Sequence, residues 1–218
     1  LGQNFLVDPN GLNKVLKAAK VSSEDTVLEI GAGLGSLTYL LAQQSRQVVA
    51  VELDHRLIAP LREALAGFTN VTICEGDMLK LSPDVLIDAE RYVVVANIPY
   101  YITSALIRHL LEADHKPTRM VLTVQQEVAE RILARDGKMS LLALSVQVYG
   151  EPELKARIPA GCFYPPPEVD SAVLSIELYE EPLFPSESLD LFFKLSHGGF
   201  AQTRKTLRNT LATGMNER

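Results

Sequence analysis

The apolar run Val93-Val94-Val95-Ala96 ends in Asn97-Ile98-Pro99-Tyr100, an amide, a rigid proline and an aromatic that a buried core would not select. At the end of a strand these residue types suit one kind of chemistry. An exocyclic amino group on adenine is a weak nucleophile, because its lone pair is delocalised into the ring. The side-chain oxygen of Asn97 and a backbone carbonyl, that of Ile98, would accept hydrogen bonds from its two N–H bonds and localise the pair. Pro99 would hold that carbonyl inward, and Tyr100 would stack on the base. No strong base is required, since the proton becomes acidic only after the nitrogen has been alkylated. The same four residues also make an ordinary turn at a strand end.

A second group of residues lies upstream. "LEIGAGLGSL" places Gly31, Gly33 and Gly35 between a strand and a helix, where the backbone can turn tightly and approach a ligand closely. The dinucleotide pattern G-x-G-x-x-G would need glycine at 36, where this chain has Ser36, which argues against a nicotinamide cofactor. Glu52 ends the next strand, at the position from which a carboxylate accepts from both hydroxyls of a ribose. Asp77, after the third strand, would accept from an adenine amino group, and Met78 would pack on the ring. Together they predict a cofactor carrying an adenosine; the alternative is a set of solvated strand-end residues.

A target base must leave its stack, which costs a few kcal/mol, while one aromatic platform returns about 1–3. Tyr100 alone would barely offset that, so a second wall is expected. "CFYPPPEVD" offers Phe163 or Tyr164 on a proline-stiffened loop, although an aromatic beside an edge strand is as readily part of a core. Gln125, Glu127 and Arg131 could line an RNA cleft or simply form a solvated first turn. His55, His109, His115 and His197 are dispersed, and no metal is expected.

These residues need a scaffold that gathers strand ends. Short runs rich in Val, Leu and Ile recur at 26–30, 47–53, 70–76, 92–98 and 119–125, separated by helix-like stretches such as Leu37–Gln44 and Leu57–Phe68. Strands alternating with helices predict an α/β domain on a mainly parallel sheet. Residues 141–150 and 171–178 read as two strands paired antiparallel at the sheet edge, the second half-buried. From 183 the composition becomes helical, so two units are expected, 1–182 and 183–218.

With 218 residues, 47% hydrophobic and 22% charged, the chain is folded rather than disordered. Cys74 and Cys162 lack metal-ligand spacing and read as packing residues of a reduced, cytoplasmic protein. No apolar run nears the roughly 18 residues a membrane crossing needs. A net charge of −6 argues mildly against nucleic acid, though local clusters override totals. Arg204, Lys205 and Arg208 make such a cluster, opposite an apolar stripe of Phe200, Leu207 and Leu211; it would serve RNA phosphates or be a solvated face.

The pattern E-x-G-x-G-x-G with its acidic follower resembles the class I methyltransferases, Rossmann-like proteins with a mainly parallel seven-stranded sheet that use S-adenosyl-L-methionine. "LGQNFLVD", "EIGAGLG", "VELD", "EGDML", "NIPYYIT", "QQEVAERI", "FYPPPEVDSAV" and "GGFAQTRKTLRNTL" stand in the order found in KsgA-type ribosomal RNA adenine dimethyltransferases. The resemblance spans almost the whole chain. It implies transfer of two methyl groups from S-adenosyl-L-methionine to the amino nitrogen of each of two adjacent adenosines near the 3′ end of small-subunit rRNA. The expected setting is a pre-ribosomal particle late in assembly, with the enzyme acting as a monomer and no membrane involved. It also implies that Asn4 and Leu6 help close the cofactor pocket, with Gly31, Glu52, Asp77 and Asn97 as further contacts. Such proteins usually begin with a basic extension and continue into a longer helical domain, and this sequence departs from that pattern at Leu1 and Arg218. The rival readings are a large-subunit rRNA methyltransferase of the antibiotic-resistance type, a ribosome-assembly or transcription factor without turnover, and a small-molecule methyltransferase.

Overall fold

The computed structural model describes residues 3–135 and 138–201. In chain order its first half comprises β1 (Phe5–Leu6), α1 (Pro9–Ala19), β2 (Thr26–Ile30), α2 (Ser36–Ala42), β3 (Gln47–Glu52), α3 (His55–Ala64), β4 (Val71–Glu75), α4 (Pro83–Leu86) and β5 (Tyr92–Asn97). A 3₁₀ turn (Tyr100–Ile102) leads to α5 (Thr103–Glu112), followed by β6 (Arg119–Gln125), α6 (Gln126–Leu133), α7 (Leu141–Gln147), β7 (Gly150–Ile158), β8 (Phe163–Tyr164), β9 (Ser171–Leu178) and α8 (Ser186–Ala201).

Seven strands form one sheet in the order β4-β3-β2-β5-β6-β9-β7. All run parallel except β9, which is antiparallel to both neighbours. Alternation along the central strands feeds two cores. Leu28, Val94, Ala96, Met120, Leu122 and Leu174 face α5, α6 and α7, while Val27, Val93, Val95, Val121 and Val173 face α1, α2 and Leu61 of α3. Because both faces are covered, β2 and β5 read as nearly continuous apolar runs. The strand order reverses between β2 and β5, and the carboxyl ends of the strands open a crevice there.

The sequence is wrong about residues 141–150. Leu141–Gln147 is helical, because Ser140 caps it by accepting from the Ala143 amide at 3.1 Å and Ala143 and Val146 repeat at helical spacing into the core. The strand begins at Gly150, and its charged residues disguise it. Pro152, Glu153 and Lys155 are tolerated because β7 is the sheet edge, with a register shift between Leu154 and Ala156. Ser171–Leu178 is not half-buried: it lies between β6 and β7 and is buried on both faces from Ser171 through Ile176. The antiparallel pair expected at this edge is therefore β7 with β9.

Leu189, Phe192 and Phe193 of α8 pack against the core of the main body, and the Leu183 amide donates to the Val148 carbonyl at 2.9 Å. No helix among the described residues is long and apolar enough to cross a membrane.

Candidate active site

Four strand ends and the N-terminal segment meet around a cavity of about 400 Å³. The glycine turn forms its floor. Gly31 and Gly33 have φ of 80° and 59°, values that favour glycine. A Cβ at Gly31 would stand 3.2 Å from the Asn97 carbonyl oxygen, and one at Gly33 would stand 3.1 Å from the Phe5 ring. Both positions keep the backbone close to what lies above it.

Glu52, at the end of β3, is 2% exposed. Its Oε2 accepts from the Gly33 amide and its Oε1 from the Asp54 amide, each at 2.8 Å. Each oxygen can accept one hydrogen bond more, so two lone pairs remain for a pair of hydroxyls. Asp54 caps α3 and is held by Arg56 at 2.9 and 2.6 Å; that guanidinium keeps the Asp54 carboxyl down near 2. Asp77 and Met78 line the next stretch of wall, and Asp77 Oδ1 accepts from the Leu79 amide at 3.1 Å.

Asn97, Ile98, Pro99 and Tyr100 all line the same cavity. Asn97 Nδ2 donates to the main-chain carbonyl of Asn4 at 3.1 Å. A carbonyl only accepts, so this bond fixes which end of the amide is nitrogen. The Tyr100 hydroxyl bonds the Ser171 hydroxyl at 2.9 Å, which tethers the ring to β9. Phe163 is buried and lines the cavity, whereas Tyr164 is exposed and does not.

Of the cofactor contacts expected from sequence, Leu6 alone does not line the cavity. It pairs with Phe163 across the β1–β8 ladder, packs on α1 next to Gly11, and faces a smaller recess with Glu29 and Leu37. Phe5, its neighbour on the strand, takes the cavity position, as alternation along a strand requires. Gln125 and Glu127 line a separate recess with Glu130, Glu168 and Asp170, a carboxylate-rich surface poorly suited to phosphate. Arg204, Lys205 and Arg208 lie outside the described residues.

Glu29 opens the E-x-G-x-G-x-G pattern, yet sequence reasoning assigned it no role. It is 1% exposed, its Oε2 has no hydrogen-bond partner, and the nearby Thr38 hydroxyl is equally unpaired. Burial, opposed by the nearby Thr38 hydroxyl and helped by a smaller push from Glu52, raises its carboxyl from 4.5 to about 8. With Gly31, Gly33 and Asn97 it lines the recess behind the glycine turn. The available signals were that motif position and an acidic residue inside the otherwise apolar "TVLEI".

The sequence matches the family described as ribosomal RNA adenine dimethylase over residues 1–218. The chain belongs to that family of methyltransferases. It is 49% identical over 216 residues to the ribosomal RNA small subunit methyltransferase A of Dehalococcoides mccartyi strain CBDB1, covering 99% of this chain and 74% of the relative. To the protein of the same name in Moorella thermoacetica it is 44% identical, covering 97% and 77%. Among solved structures, a dimethyladenosine transferase from Plasmodium falciparum superposes with a TM-score of 0.83 at 32% identity, covering 94% and 74%. The 23S rRNA methyltransferase ErmE gives 0.82 at 30%, covering 96% and 84%. The fold is thus the Rossmann-like class I type built to bind S-adenosyl-L-methionine, with a helical region at its C-terminal end. The residues present fit that cofactor: a glycine cradle that a Cβ would fill, a carboxylate with two free lone pairs, and a buried carboxyl lacking a partner.

Proposed function

We propose that this dimethylase transfers methyl groups from S-adenosyl-L-methionine to the N6 amino groups of two adjacent adenosines near the 3′ end of small-subunit (16S) rRNA. The observation that carries the reading is the Asn97 amide, held by Asn4 so that its oxygen is left for an amine in the cavity that the cofactor elements share. S-adenosyl-L-methionine supplies an electrophilic methyl group on a sulfonium. Gly31 and Gly33 would cradle it, Glu52 would hold the ribose hydroxyls, and Asp77 with Met78 would hold the adenine.

The chain's own part is to make the amine a nucleophile. Asn97 Oδ1 and the Ile98 carbonyl would each accept from one N–H bond, drawing the lone pair out of the ring. That pair would then be free to take the methyl group from the sulfonium, whose C–S electrons would stay on sulfur, and the nitrogen would afterwards lose its proton to water. Tyr100, tethered by Ser171, and Phe163 would sandwich the base and repay its loss of stacking. Arg204, Lys205 and Arg208 are proposed as phosphate contacts, within a unit 183–218 that follows a catalytic unit 1–182. A monomer acting in the cytoplasm on a pre-ribosomal particle completes the proposal.

The likeness to ErmE keeps a large-subunit substrate as the second reading. The higher identity to small-subunit relatives, 49% against 30%, favours the first. Labelled methyl transfer to under-methylated small subunits and to large subunits, with mapping of the modified bases, tests both. Dimethyladenosine at two adjacent positions in 16S rRNA supports the first; label confined to the large subunit selects the second. Binding to the small subunit with no transfer would favour an assembly factor.

A further inference from the structure

We propose that Tyr101 is the stacking platform for the nucleotide that adjoins the target base, at the mouth of the cavity. This rests on the reading that the cavity receives an adenine drawn out of RNA. Three consecutive residues, Tyr100, Tyr101 and Ile102, form the 3₁₀ turn after Pro99, and three residues complete one such turn, so their side chains point in three directions. Tyr100 is tethered to Ser171, and Ile102 packs against the core. Tyr101 lines the cavity yet is 67% exposed. Among the described residues it makes no side-chain hydrogen bond and no aromatic pair.

Among the described residues the mouth has little else with which to hold RNA. The cavity lining, among the described residues, contains one arginine, Arg56, and no lysine, and Arg56 is already committed to Asp54. Extracting one base leaves its neighbour without a stacking partner, and that neighbour is tied to the target by a single phosphodiester. An aromatic face beside the opening replaces the lost stack for any base, because every base has a π-face. Tyrosine can do this with its hydroxyl still in water. Tyr164 is as exposed, at 72%, but does not line the cavity.

The test uses wild type, Tyr101→Ala and Tyr101→Phe. The first readout is the fluorescence of 2-aminopurine placed beside one adenine in a short single-stranded RNA, added to cofactor-loaded protein. Quenching is expected with wild type and Tyr101→Phe and is lost in Tyr101→Ala. The second is methyl transfer to under-methylated small subunits. Tyr101→Ala should raise KM about tenfold, with kcat and cofactor Kd within twofold, and Tyr101→Phe should match wild type. Equal quenching by wild type and Tyr101→Ala would overturn the proposal. So would a Tyr101→Phe defect as large as that of alanine, which would assign the effect to the hydroxyl. A matching loss of cofactor affinity in Tyr101→Ala would place the ring on the cofactor instead. If wild type transfers no methyl to either subunit, the proposed function fails, while the fluorescence comparison still decides the role of Tyr101.

Discussion

Asn97, at the end of β5, gives its amide N–H to the main-chain carbonyl of Asn4, ninety-three positions earlier in the chain, at 3.1 Å. Asn4 in turn is anchored by its own side chain, which donates to the Pro165 carbonyl at 2.7 Å. The N-terminal segment therefore sets the polarity of the amide expected to face the target amine. Replacing Asn97 with Ala should lower methyl transfer roughly a hundredfold, the size of effect seen when one preorganised polar group is removed from an active site. Cofactor affinity should stay within a few-fold. Transfer assays and calorimetric titration of the cofactor separate the two quantities, and an equal loss in both would mean that Asn97 chiefly holds the cofactor.

Asn4→Ala keeps the main-chain carbonyl but removes the anchor to Pro165. Transfer should fall several-fold, in kcat more than in cofactor Kd, since the consequence is a less well-oriented Asn97. A defect confined to cofactor affinity would leave Asn4 as a simple pocket wall.

Glu29 gives a pH signature. Its carboxyl rises from 4.5 to about 8 on folding, so the folded chain binds that proton more tightly than the unfolded chain does. Its contribution to stability is then flat below about 4.5, falls as pH climbs from 4.5 to 8, and is flat again above. Glu29→Gln is neutral throughout. Relative to wild type, the cofactor-free variant should gain stability between pH 5 and pH 8.5, on the order of a few kcal/mol. Thermal unfolding at both pH values measures the gain; a difference independent of pH would mean that Glu29 has a partner for its charge.

Much of this site could be read from sequence because its residues sit at the ends of strands. Glu52, Asp77 and Asn97 each follow a short β-branched run, and a parallel sheet gathers such ends on one edge whatever the details of packing. The 141–150 segment was misread for a different reason. "LLALSVQ" supports either period over so short a run, and what decides is Ser140 acting as a cap and the polar edge strand that follows. The link from Asn4 to Asn97 left no periodic trace, since it joins a main-chain atom to a distant side chain. Glu29 was visible as a charge in an apolar strand and as the first residue of the E-x-G-x-G-x-G pattern, and its buried, unpaired state appears once the helices are in place.

Gly31 and Gly33 should respond differently to a methyl group. At Gly31 the added Cβ meets the Asn97 main chain at 3.2 Å, whereas at Gly33 it meets the edge of the Phe5 ring, a side chain able to move. Both substitutions strain a positive φ, which costs about 1–2 kcal/mol. Gly31→Ala should therefore depress both cofactor binding and transfer, because it displaces Asn97, the residue proposed to face the amine. Gly33→Ala should mainly weaken cofactor binding. Cofactor titration alongside kcat at saturating cofactor tells them apart, and equal kcat losses would show that Phe5 is as immobile as the backbone.

Tyr100 and Ser171 share one hydrogen bond between elements far apart in sequence, at 2.9 Å, and Ser171 is fully buried. Removing either hydroxyl leaves the other without that partner, so the two single variants should resemble each other and the double should add little. Tyr100→Phe keeps the stacking face; if the bond serves to aim the ring, it should lower transfer several-fold, and Ser171→Ala should lower it equally. The coupling in a double-mutant cycle on kcat/KM should be about 1 kcal/mol. Additive losses would mean that the hydroxyls act separately, with Tyr100 reaching substrate through its oxygen rather than through an oriented ring.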